Sequence, residues 1–137
     1  MNLDKVISGF FIILAMTLNF GFFYGDMHSV DSHSKYELFA AIVINLIATI
    51  LKLGDKTQLG SVLLATSLVA DIQLITAATI WTFSVYSASG VVSTELMSVI
   101  VSLSGGALLA NITSVVLYVS DTIKSKRWEI LGKYFEK

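Results

Sequence analysis

One acidic residue stands alone in a long uncharged stretch: between Gln58 and Thr94 the sole ionisable acid or base is Asp71, with Ser67 one helical turn before it and Gln73 two residues after it. Strongly polar amides recur in the other uncharged stretches as Asn19, Asn45 and Asn111. A carboxylate ringed by neutral oxygen ligands in a hydrated gap has the chemistry of a cation or proton site. The same groups clasping one another across helices would instead fix helix register. Both readings stay open for Asp71, whereas the asparagines by themselves read as interhelical glue.

Other chemistry is poorly supplied. The sequence has no cysteine, which removes disulfides, thiolate ligands and thiol nucleophiles together. Asp26, His28, Asp31 and His33 crowd residues 25–35 with metal-ligand types, but at no recognised ligand spacing, so this segment reads as a solvated polar loop and no metal is assigned. Both histidines lie outside the apolar stretches, so no haem ligand and no buried base beside a nucleophile is offered. The expectation is a protein without cofactors that is not an enzyme.

The elements that must position these residues follow from composition. Hydrophobic residues make up 55% of the 137 and charged residues 14%, with a mean hydropathy of +0.77. A soluble domain of this size cannot hide that much apolar surface. The charges leave four windows, Val6 to Tyr24, Leu38 to Leu51, Gln58 to Thr94 and Leu96 to Ser120, interrupted only by Asp71. A spanning helix needs about 20 mostly apolar residues, and a bilayer tolerates no unpaired backbone. The reading is therefore all-α: four transmembrane helices at about 5–25, 36–53, 59–86 and 95–120. Residues 1–120 form the membrane domain and residues 121–137 a basic amphipathic cytoplasmic tail. The absence of proline favours continuous rods over helices broken at the midplane.

Orientation is set by Lys5, Lys52, Lys56, Lys124, Lys126, Arg127, Lys133 and Lys137, which share one side if both termini are cytoplasmic, against Lys35 alone on the other. Tyr24, Tyr36, Trp81 and Tyr86 then fall near the outer boundary, where amphipathic rings sit. The tail spaces Ile123, Trp128, Leu131, Tyr134 and Phe135 at near-helical intervals, which suits an interfacial helix on an anionic leaflet or a juxtamembrane anchor.

Small residues recur every four positions as Ser98, Ser102, Gly106, Ala110 and Ser114, with Gly105 alongside, and Gly21 and Gly25 offer a lesser partner surface. Close backbone approach over small residues is how helices associate in lipid, so this stripe is a helix contact within one subunit or between copies. A homo-oligomer is expected, with the bilayer and ions as the other partners and no nucleic acid, since a net charge of −1 provides no attractive field.

The segment Gly54-Asp55-Lys56-Thr57 resembles the Glu-x-Gly-Asp-Lys-Thr/Ser signature of a cation–proton antiporter family, whose motif acids line the cation path. That resemblance implies a cation-motif loop at Asp55, Lys56 and Thr57, with Lys52 standing where the family has its Glu. The family carries two copies in six or more helices, against one copy in four here. Over most of its length the chain resembles a family of small uncharacterised four-helix bacterial inner-membrane proteins, through Asn19 to Asp26, Gly54 to Gln58 and Ala70 to Leu74. This resemblance implies a multi-pass protein of the bacterial plasma membrane. The functional expectation is a homo-oligomeric conductor or translocator of ions, cations above all, along a polar path near Asp71. A non-conducting structural or accessory subunit is the alternative, and a cation–proton antiporter a third reading.

Overall fold

No proline interrupts the chain, and the computed structural model, which describes residues 1–87 and 89–136, is helical without strands among those residues. The elements are α1 (Leu3–Phe23), a 3₁₀ turn (Val30–Ser32), α2 (Lys35–Lys52), α3 (Gln58–Tyr86) and α4 (Thr94–Phe135). Side-chain oxygens cap three of the starts: Asn2 accepts from the Asp4 and Lys5 amides, Thr57 from Gly60, and Ser93 from Leu96. Each satisfies amide donors that the first turn leaves without helical acceptors. Asp4, Glu37 and Glu95 in first turns and Lys52 and Lys133 in last turns lie with the helix dipoles.

Three of the four helices, α1, α3 and α4, are long and apolar enough to cross a membrane. The expected second span, α2, is not among them, because Lys35, Glu37 and Lys52 all fall within its 18 residues. Helix α4 differs most from expectation. The tail is not a separate interfacial helix but the continuation of α4, which runs unbroken through 42 residues. Between Gly106 and Gly132 the sequence has neither glycine nor proline, so nothing there ends or bends the rod. Past Ser120 most of its side chains, Trp128, Tyr134 and Phe135 among them, are exposed.

Packing is cyclic: α1 lies against α2 and α4, and α3 lies against α2 and α4, as in an up-and-down bundle. Its interior is layered. Toward the end that carries the α1–α2 and α3–α4 connections, Phe22, Leu38, Ala77, Met97, Ile100 and Val101 close into an apolar layer. Below it the buried groups turn polar, with Asn19, Asn45, Thr49, Ser67, Asp71, Ser104, Asn111 and Ser114.

The 25–35 loop is clipped onto the apolar end by His33. Its Nδ1 lies 2.6 Å from the Phe22 carbonyl and its Nε2 2.9 Å from the Asp26 carbonyl, and its ring packs against Phe22. Gly25 makes the turn at φ +144°, where an added Cβ would come within 2.9 Å of Ser32. Among the described residues, no three His, Asp or Glu side chains converge as a metal site.

Candidate functional site

Helical periodicity puts Asn45, Thr49 and Lys52 on one face of α2, and Ser67 and Asp71 on one face of α3. The structure brings these two faces together inside the bundle. Thr49 Oγ1 lies 2.6 Å from Asp71 Oδ2 and 2.9 Å from the Asn45 carbonyl, so its single proton is shared between two acceptors. The Asn45 amide nitrogen donates to Ala41 of its own helix at 2.8 Å. One turn further along α2, the Lys52 ammonium donates to Ser67 Oγ and, at 3.4 Å, to the Leu63 carbonyl. Asp71 is only 5% exposed and Lys52 6%, so an acid and a base share one buried pocket without touching. The second carboxylate oxygen, Oδ1, is buried with no partner.

Lys52 is the residue that sequence reasoning misplaced. Counted there as a cytoplasmic loop charge, it is instead turned into the bundle, because the last turn of α2 faces Leu63 and Ser67 of α3. Its spacing from Asn45 and Thr49 was the available signal.

Asn19 and Asn111 form a second polar cluster, between α1 and α4. In the amide orientation that satisfies its neighbours, Asn19 donates to the Ser104 carbonyl at 3.0 Å and accepts from the Leu108 amide at 2.9 Å and from Asn111 Nδ2 at 3.1 Å. Ser104 and Leu108 are the two ends of one helical hydrogen bond, so Asn19 grips a single rung of α4. This cluster is internally satisfied, in contrast to the one at Asp71.

Gln73 does not join Asp71. Two residues apart on a helix means about 200° of rotation, and Gln73 faces α4, where its amide sits over Gly106, with Oε1 buried and unpartnered. A Cβ at Gly106 would lie 2.5 Å from Gln73 Nε2, and one at Gly105 would lie 2.8 Å from the Phe23 ring of α1. The glycine pair thus admits a side chain from each neighbouring helix. The small-residue stripe divides accordingly: Gly106 and Ser114 meet α3, Ser114 through a 2.6 Å hydrogen bond to Thr66, while Ser102 is exposed.

Asp55, Lys56 and Thr57 lie in the exposed hairpin between α2 and α3. Asp55 Oδ1 accepts from the Thr57 hydroxyl at 2.7 Å and its amide at 2.9 Å, while Thr57 caps α3. These bonds hold the Asp55 carboxyl below the usual carboxylate range, the hydroxyl contributing most. As built, the turn spends its carboxylate on a helix cap.

The chain is thus an all-helical bundle with three helices long and apolar enough to cross a membrane and with a buried acid and base inside it. The chain belongs to a family of unknown function, DUF6394, whose profile matches residues 32–122. That stretch contains α2, α3, α4 as far as Thr122 and the whole Thr49, Lys52, Ser67 and Asp71 cluster. No curated protein and no solved structure matches the chain.

Proposed function

We propose that this is a multi-pass protein of the bacterial inner membrane, with four spans and both termini cytoplasmic, that assembles with copies of itself and translocates ions through the Asp71 cluster. Helix α2 spans with the others on this reading, since its charges lie at its two ends and Lys52 is drawn into the bundle. The observation that carries the proposal is the buried carboxylate oxygen without a partner, Asp71 Oδ1, beside a buried ammonium. A carboxylate within a membrane helix is costly, and one left half-satisfied marks an ion or proton pathway by default. Lys52 places an ammonium beside it already, so a cation entering the site competes with Lys52 for the carboxylate.

A second reading, a non-conducting accessory subunit, draws on the Asn19, Ser104 and Asn111 cluster, where polar groups serve only to bond helices together. Proton, Na⁺, K⁺ and Ca²⁺ gradients across proteoliposomes separate the two readings. Flux in the wild type that Asp71→Asn abolishes supports translocation. Silence from folded, assembled wild type overturns it in favour of the accessory subunit.

A further inference from the structure

A groove of about 560 Å³ runs between the first turns of α2 and the last turns of α3. Leu38, Phe39, Ile42, Ala78 and Val85 give it apolar walls, and Trp81 forms its back, with that ring held from behind by Phe22 at 6.1 Å. Its volume lies within the range of small-molecule pockets. Tyr36 and Tyr86 stand at the rim, and Lys35 is at the mouth with its ammonium over the Tyr36 ring at 5.3 Å.

Two observations identify the occupant. Lys35 is the one Lys or Arg between Lys5 and Lys52, so on the proposed orientation it is the only lysine or arginine near this side of the bundle, and it sits at the groove. It also lacks a carboxylate partner among the described residues. Glu37, the nearest acid in sequence, turns toward α1, its carboxylate 3.7 Å from where a Cβ on Gly21 would be. An apolar trough with aromatic rims at interface depth and a free cation at its mouth has the polarity of a phospholipid lying along the bilayer normal.

We propose that this groove binds one anionic phospholipid, an acyl chain lying against Trp81 and Ile42 and the phosphate paired with Lys35. The proposal rests on the membrane-spanning reading above but not on ion translocation. One basic side chain near an anionic surface is worth about a fivefold preference for the anionic lipid.

The test uses Trp128→Phe protein, in which Trp81 is the only tryptophan, reconstituted into vesicles and recovered by flotation. Phosphatidylglycerol and phosphatidylcholine with brominated acyl chains are compared as quenchers of Trp81 fluorescence. The expected result is stronger quenching by the anionic lipid, with a relative affinity near fivefold, that falls to parity in Lys35→Gln. Equal quenching by both lipids in the parent protein overturns the headgroup assignment while leaving membrane insertion intact. Protein that floats with the vesicles yet is quenched by neither has its groove filled by protein, a second copy included, and the proposal fails. Protein that does not float defeats the spanning reading itself.

Discussion

Thr49 and Asp71 meet across the α2–α3 interface at 2.6 Å, and that bond satisfies one carboxylate oxygen while the other stays bare. The pair ties α2, the shortest helix of the bundle, to the middle of α3. Lys52, one turn away, adds a second buried charge held by Ser67 and not by Asp71 itself. Several consequences can be measured.

Thr49→Val keeps the shape of the side chain and removes its hydroxyl, leaving Asp71 without a donor. Exposing a buried acceptor to an apolar neighbour costs about 1–3 kcal/mol. The variant should unfold at lower temperature in detergent than wild type, and Thr49→Ser should recover most of the loss. An unshifted Thr49→Val transition would mean that the bond contributes nothing to stability.

Lys52 and Asp71 should be energetically coupled although they do not touch. Lys52→Met leaves a buried acid with less compensation, Asp71→Asn leaves a buried base, and the double variant removes both charges. Their coupling in a double-mutant cycle should be about 1–3 kcal/mol, with the double variant more stable than the two single losses add up to. Simple additivity would separate the two residues into independent sites.

Gly106 is a contact within the chain, against Gln73. Gly106→Ala should be tolerated, because the atom its Cβ meets is the free end of a flexible amide. Gly106→Leu must push Gln73 and α3 aside, an overpacking cost of about 1–3 kcal/mol. Thermal unfolding of the two variants reads the difference. A Gly106→Leu protein with unchanged unfolding but altered oligomer size would move this contact to the interface between copies.

Asp55 carries a pH dependence of defined sign. Its carboxyl titrates below its unfolded value of about 3.9, so its contribution is present above that pH and fades as acid protonates the folded form. Asp55→Ala should therefore lower the thermal midpoint at neutral pH, and the gap to wild type should close as pH falls below about 3.9. A gap that persists in strong acid would assign the effect to backbone geometry rather than to the carboxylate.

Helix number and most helix bounds were legible in the sequence, to within about two residues at the four starts, because charged and turn residues cluster where backbone must meet water. The far end of α4 was not, since basic residues after Ser120 read as an interfacial break while the backbone has no reason to stop there. Asp71, Asn19, Asn45 and Asn111 stood out as polar groups in apolar stretches, and all four are buried. Their grouping was less visible. Gln73 is two residues from Asp71 in sequence and on the far side of the helix, whereas Lys52 looked like an anchor and is a neighbour. The period-four stripe drifts around a helix of 3.6 residues per turn, which is why Ser102 ends up exposed while Ser114 is buried. The cyclic order of the helices depends on which faces fit, which one-dimensional spacing does not encode.

The unbroken α4 makes the exposed tail and the interior parts of one rod. At 1.5 Å per residue its 42 residues extend about 63 Å, roughly twice the hydrocarbon thickness of a bilayer. Asn19 holds that helix at the Ser104–Leu108 rung, Thr66 bonds it at Ser114 and the Lys5 carbonyl accepts from Tyr118, so the stretch beyond Ser120 projects from a stem bonded to both α1 and α3. Whatever meets the exposed tail near Trp128 therefore meets the same continuous helix that closes the bundle between α1 and α3.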